Sequence, residues 1–212
     1  MEGYWSRFAH TYDRDGEYVV GRPVIEAIVE RLRRERRLGE VLELGCGTAF
    51  FTKVIAENSE LVIATDLSEE MLEVARRQLS GLGNAWVQTA DCERTAYPNE
   101  RFDSLFLANV LHVIDNPARC LKESYRVLRD GGLLLVVDFT LHGMQRFEKM
   151  KTGIRYLQRW GIPPRRGRSD LSCEELACLV ESAGFVVDKL ELIEAGSNAL
   201  YLKGRKTHVK SA

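Results

Sequence analysis

Nowhere in the 212 residues does an apolar run approach the length that crosses a bilayer, and the opening Met1-Glu2-Gly3-Tyr4-Trp5-Ser6-Arg7 has no apolar core of signal-peptide length. A soluble, intracellular protein is expected, with the cytoplasm as its compartment. An excess of either charge is missing too: 30 Lys and Arg stand against 31 Asp and Glu. There is then no general attraction for nucleic acid or an anionic membrane, and such a partner would need a local patch. Cysteine is scarce and scattered. The five, Cys46, Cys92, Cys120, Cys173 and Cys178, are odd in number and form no C-x-x-C pair, so neither a zinc site nor a disulfide framework is expected. They read as buried or neutral thiols. Internal repeats are absent, and only the tail from Thr207 to Ala212 reads as disordered. The chain is too short for two full domains, so residues 1–212 are expected to form one α/β domain with a sizeable core.

What is there centres on Val41 to Thr52, Val-Leu-Glu-Leu-Gly-Cys-Gly-Thr-Ala-Phe-Phe-Thr. A short apolar strand runs into two glycines one residue apart, and a helix-forming stretch, Lys53 to Glu57, follows. Without a Cβ, Gly45 and Gly47 let the backbone turn sharply and let a ligand lie against the main chain near a helix N-terminus. A second strand, Leu61 to Thr65, ends in Asp66, about 20 residues on, where a doubly wound fold offers a carboxylate to ribose hydroxyls. A dinucleotide fingerprint would want glycine at position 50. Phe50 stands there, which disfavours a pyrophosphate.

The flanking stretches read as alternating helices and strands. Tyr4, Phe8 and Tyr12, with Trp5 alongside, have the spacing of an aromatic stripe on one helix. Pro23 opens a helix with Val24, Ile25, Ile28, Val29 and Leu32 on its apolar face and Arg31, Arg33, Arg34, Arg36 and Arg37 at its end. Ser68 caps the next helix, with Glu69 and Glu70 in its first turn and Arg76 and Arg77 in its last. Ala85 to Thr89 is the third strand and Phe102 to Ala108 a fourth, buried on both faces. Asn109 and His112 follow its C-terminal end, where open parallel sheets bind ligands. Asn116-Pro117 begins a helix through Leu128 that Asp130-Gly131-Gly132 stops, and Leu133 to Val137 is the fifth strand, ending near Asp138. Residues 141–171 form an amphipathic insertion, broken at Pro163-Pro164 and followed by Arg165, Arg166 and Arg168 around Gly167. Ser172-x-x-Glu175 is a capping box for the last helix, and Val186 to Ile193 and Ala199 to Lys203 form a closing antiparallel pair.

Glu43-Leu44-Gly45-Cys46-Gly47-Thr48-Ala49 resembles the first motif of the class I S-adenosylmethionine-dependent methyltransferases, with Ala49 in place of a third glycine. The resemblance covers roughly Tyr4 to Arg205. It implies a Rossmann-like, doubly wound seven-stranded α/β sheet, mostly parallel with a terminal antiparallel strand, and S-adenosyl-L-methionine as cofactor. Carried over residue by residue, it implies cofactor contacts from Tyr12, Glu43, Gly45, Cys46, Gly47, Asp66, Leu67, Met71, Asp91, Cys92 and Asn109. Asp91 would accept from the adenine amine, the Cys92 N–H would meet a ring nitrogen, and Met71 would face the adenine. Trp5, Phe8, Tyr12 and Asp13 match a segment that folds over the cofactor, making residues 1–38 its lid; a core-docking helix is the other reading. The insertion at 141–171 would roof the acceptor.

Missing motifs narrow the acceptor. The fourth strand ends Ala108-Asn109-Val110-Leu111, with no Asn/Asp-Pro-Pro-aromatic sequence for base amines and no Pro-Cys nucleophile. Carboxylates are too few for the metal-dependent catechol type, so no metal is expected. Leu111 to Pro117 and Arg126 to Gly132 look most like the quinone-biosynthesis-type group. A small-molecule acceptor methylated by in-line displacement is therefore expected, with His112 as a candidate base. A non-catalytic cofactor-binding subunit, or an enzyme acting on protein or RNA, is the alternative. No nucleic-acid partner and no membrane span are indicated.

Overall fold

The computed structural model describes residues 2–162 and 170–207. Pro163, Pro164, Arg165, Arg166, Gly167 and Arg168, and the tail beyond Thr207, lie outside the described residues. In chain order the elements are α1 (Glu2–Ser6), α2 (Tyr12–Val20), α3 (Arg22–Arg34), β1 (Glu40–Leu44), α4 (Thr52–Ala56), β2 (Leu61–Asp66), α5 (Glu69–Leu79), β3 (Ala85–Thr89), β4 (Phe102–Ala108), α6 (Pro117–Val127), β5 (Leu128–Thr140), α7 (Arg146–Trp160), α8 (Cys173–Ser182), β6 (Phe185–Ala195) and β7 (Ser197–Lys206).

These strands form one seven-stranded sheet in the order β3-β2-β1-β4-β5-β7-β6. The first five are parallel, and β7 enters antiparallel between β5 and β6. The expected doubly wound sheet is therefore present. Strand order reverses between β1 and β4, and the crevice outside their C-terminal ends is where open parallel sheets bind ligands.

Alternation along the strands sends side chains into two cores. Leu42, Leu105 and Leu134 pack with Cys120 and Leu121 of α6 and with Leu176 and Val180 of α8. Val41, Phe106, Leu135 and Tyr201 pack with Val24, Ile28 and Leu32 of α3 and with Val54 and Ile55 of α4. Covered on both faces, the central strands are continuous apolar runs rather than alternating ones. Ser68 caps α5 as expected, its hydroxyl accepting from the Met71 N–H at 3.2 Å, and Ser172 and Glu175 form the reciprocal capping box of α8.

Three expectations are corrected. Tyr4, Phe8 and Tyr12 do not ride one helix: α1 stops at Ser6, a turn closes through Phe8 N–H to Trp5 O at 2.9 Å, and α2 begins at Tyr12. The segment gains more by folding back on Trp160, whose carbonyl accepts from the Tyr4 hydroxyl at 2.7 Å. Helix α3 ends at Arg34, leaving Arg36 and Arg37 beyond it. Helix α6 ends at Val127, and β5 starts at Leu128 rather than Leu133, because Leu128 pairs with Phe102 and its carbonyl takes the Lys206 ammonium at 2.8 Å.

Candidate active site

The glycine turn is built by its own strands. The Cys46 N–H donates to Thr65 O at 2.8 Å, carrying the β1–β2 ladder two residues past the strand, and Gly45 and Gly47 on either side take left-handed φ of 74° and 54°. A Cβ on Gly45 would stand 2.5 Å from Val110 Cγ2, whereas one on Gly47 would meet nothing within 4 Å. Gly45 is thus needed by the fold, and Gly47 faces open space. Ala49, buried in place of a third glycine, also sits at a left-handed φ of 67°. That conformation costs an alanine about 1–2 kcal/mol.

Asp66 ties the turn to the next helix. Its Oδ2 accepts from the Gly47 N–H and its Oδ1 from the Ser68 N–H, both at 2.9 Å. Burial holds the carboxyl above its usual pKa, with the amides of Ser68 and Gly47 opposing. Glu43 is only 1% exposed, and its Oε2 has no hydrogen-bond partner. Burial pushes its pKa up to about 7, against the Thr52 hydroxyl and with help from the Asp66 charge. A buried acceptor without a donor fits a ligand bearing an ammonium group, such as the methionine part of S-adenosylmethionine. With the open space at Gly47, the residues present fit that cofactor.

Across the crevice, the ends of β4 and β5 meet. The pairing of Ala108 with Val137 brings Asn109 beside Asp138. Asn109, at a left-handed φ of 59°, receives the Phe139 N–H on its Oδ1 at 3.0 Å. Asp138 is 1% exposed and accepts the His112 Nδ1–H on Oδ1 and the His112 backbone N–H on Oδ2 at 3.2 Å. Burial alone would lower the His112 pKa, but the charge of Asp138 and its hydrogen bond outweigh it, so the net shift is upward. With Nδ1 committed to Asp138, neutral His112 presents a lone pair on Nε2.

The N-terminal segment closes over both halves. Asp13 accepts the Thr48 hydroxyl on one oxygen and the Gln78 amide on the other at 2.7 Å, latching α2 to the glycine turn and α5. The neighbouring Tyr12 stacks on Trp160 at 5.7 Å. Burial, then the charges of Asp66, Asp13 and Asp138, push its phenol well upward, so it stays neutral beside these three carboxylates.

Of the expected residues, Tyr12, Glu43, Gly45, Cys46, Gly47, Asp66, Asn109 and His112 gather around this crevice. Leu67, 43% exposed, stands at its rim, while Met71 is buried under the Ser68 cap. Asp91 is exposed with one oxygen held by the Glu93 N–H at 2.8 Å, and Cys92 is buried in the core beside Cys120. Among the described residues no cluster suited to a metal ion occurs, and no helix is long and apolar enough to cross a membrane. Sequence reasoning missed Asp138 as the partner of His112, the Thr48–Asp13–Gln78 latch and the Tyr12–Trp160 stack. Only Asp138 had a signal, its place at the end of a strand next to β4.

Residues 42–136 match the methyltransferase domain family. The chain is 34% identical over 112 residues to the ubiquinone/menaquinone biosynthesis C-methyltransferase of Proteus mirabilis, a match covering 50% of this chain and 44% of that protein. The counterpart from Escherichia coli O1:K1 is 33% identical over the same length. The matched stretch thus spans under half the length of these curated relatives. Among solved structures, an S-adenosylmethionine-dependent methyltransferase from Thermotoga maritima superposes with a TM-score of 0.74 at 22% identity, covering 98% of this chain and all of that one. One from Aquifex aeolicus superposes with a TM-score of 0.68 at 21% identity, covering 95% and 98%. These two likenesses concern the fold.

Proposed function

We propose that the chain is a class I S-adenosylmethionine-dependent methyltransferase, on the match of its residues 42–136 and on its sheet order, and that it methylates a small molecule bearing an acidic, phenol-type hydroxyl, with His112 as base and Asp138 as its positioning residue. The observation that carries this is the His112–Asp138 pair at the strand ends facing the glycine turn. Bound S-adenosylmethionine supplies an electrophilic sulfonium methyl. The chain's part is to hold the cofactor, orient the acceptor and move one proton.

Gly47, Asp66 and Glu43 hold the cofactor in this reading: open backbone at the turn, a carboxylate for ribose hydroxyls and a buried acceptor for an ammonium group. Asp91 and the backbone of Cys92 serve the adenine, and Leu67 borders it. Tyr12 and Trp160 roof the crevice and exclude water. The acceptor's hydroxyl proton goes to Nε2 of His112. The resulting imidazolium is stabilised by Asp138, which keeps the Nδ1 proton. The phenolate shares its charge between oxygen and the ortho and para ring carbons. Methylation at oxygen needs no further proton transfer, whereas methylation at carbon is completed by loss of that carbon's ring proton and return of a proton to the oxygen. The quinone-biosynthesis C-methyltransferases to which half of this chain is similar support the aromatic acceptor.

A labelled-cofactor assay over phenols, quinols, thiols and amines tests this. Turnover confined to phenol-type acceptors and lost in His112→Asn supports it. Turnover of amines alone, or undiminished turnover in His112→Asn, overturns it. Cofactor binding without turnover of any acceptor assigns the chain to the non-catalytic binding class.

A further inference from the structure

Helix α7 packs on the N-terminal segment through Tyr156 and Trp160 and through the side chains around Tyr18. Arg155 and Arg159 lie over the Tyr18 ring, 5.4 and 4.4 Å from its centre, and Gln158 accepts from the Tyr18 hydroxyl at 3.0 Å. Tyr156 and Trp160 enter the aromatic cluster with Tyr4, Trp5 and Tyr12. At about 100° per residue, these contacts occupy two adjoining sides of the helix. Phe147, Met150, Ile154 and Leu157, spaced three, four and three apart, fall together on the remaining arc and are 64, 57, 48 and 53% exposed. Ile162, just past the helix, is 83% exposed. An ordinary surface helix turns such a stripe inward.

The charge around the stripe is one-sided. The helix carries Arg146, Lys149, Lys151, Arg155 and Arg159 against the single acid Glu148. Lys151 pairs with Glu148 at 3.4 Å and Arg159 lies 3.7 Å from Asp15, but Arg146 and Lys149 form no side-chain ion pair among the described residues. Arg146 adjoins one edge of the apolar stripe and Lys151 the other, while Lys149 falls on the side of Tyr156 and Trp160. A near-neutral chain has thus concentrated positive charge around its most apolar exposed face. An outward apolar stripe rimmed by cations matches the interface of an anionic bilayer, acyl chains at the centre and acidic headgroups at the margin. With 15 residues and this much charge, the helix lies on such a surface rather than spanning it.

We propose that α7 is a membrane-surface docking helix, seating Phe147, Met150, Ile154 and Leu157 in the outer acyl region of an anionic bilayer while Arg146 and Lys151 meet its headgroups. Cosedimentation of the whole chain with vesicles tests this, comparing phosphatidylcholine alone with an equimolar phosphatidylcholine–phosphatidylglycerol mixture. Binding to the anionic vesicles is expected to exceed binding to the neutral ones and to weaken with salt. Phe147→Ser with Ile154→Ser should lower it by about tenfold or more, and Arg146→Gln by about fivefold. Calorimetric cofactor affinity should stay unchanged in all variants, showing that they fold. Failure to bind either vesicle, or equal binding by the folded variants, overturns the proposal. So does a wild-type dimer that Phe147→Ser with Ile154→Ser converts to monomer in sedimentation velocity without any vesicle binding; that result assigns the face to a second copy of the chain.

Discussion

The carboxylate of Asp138 grips His112 twice, through the imidazole Nδ1 and through the backbone N–H at 3.2 Å, although 26 residues separate them. The ring is thereby fixed in position and in tautomer.

As a base His112 must be neutral, so kcat/KM should rise with pH through a pKa above the ordinary value of about 6.5. Removing the Asp138 charge takes away what raises that pKa. Asp138→Asn should therefore move the rise to lower pH and reduce the plateau, while His112→Asn should lower kcat by about 10²–10⁴. For stability the sign is that of a raised folded-state pKa: the pair's contribution is complete below about pH 6.5 and fades as pH climbs through the folded value. Denaturant titrations of wild type and His112→Asn should converge across that window.

Asp66→Asn should loosen the cofactor and the turn together. Asn keeps one acceptor oxygen, so its NH₂ must face the N–H of either Gly47 or Ser68, each now 2.9 Å from a carboxylate oxygen. Losing one such charge-assisted bond costs about 1.5–3 kcal/mol. Calorimetry should show cofactor Kd raised by about 10- to 100-fold, with a lower Tm.

The two glycines should fail in different ways. In Gly45→Ala both the φ of 74° and the 2.5 Å approach to Val110 act on the fold, so Tm should drop and Val110→Ala should restore part of it. In Gly47→Ala only the φ of 54° does, about 1–2 kcal/mol, because the new methyl enters open space. There the rise in cofactor Kd should exceed the change in Tm.

Glu43→Gln should stabilise the empty protein and weaken the loaded one. A carboxyl with its folded pKa raised to about 7 is charged at a cost above that pH. The relief in the glutamine variant should be absent below about pH 4.5, grow through the window up to 7, and reach on the order of 3 kcal/mol beyond it. Thermal melts across pH measure this, and titration with cofactor at pH 8 should show reduced affinity.

Most of the fold was legible because its elements carry local signals. Ala85–Thr89 and Phe102–Ala108 fall where apolar runs and turn residues place them, and Ser68 and Asn116 cap the helices that follow. Leu128 was misassigned because it continues the spacing of Leu121 and Tyr125; its pairing with Phe102 is tertiary and leaves no trace in that spacing. The four-residue interval of Tyr4, Phe8 and Tyr12 mimicked a helix for the same reason. At the site, Gly47 and Asp66 were found as a pair because a fixed motif links them. His112 and Asp138 were not, since their contact depends on β4 and β5 being neighbours. Periodicity announced an apolar face on α7 but could not say which way it would point.

Strand β7 lies inside the sheet, between β5 and β6, although it is made after both. While the chain emerges from the ribosome, the long apolar edge of β5, with Asp138 near its end, has no partner until Lys206 has been synthesised. Nascent chains of this protein therefore carry a sticky flank through about a third of their translation, and a stalled or clipped product lacking Ser197–Lys206 would be a substrate for chaperones and proteases rather than a slower enzyme.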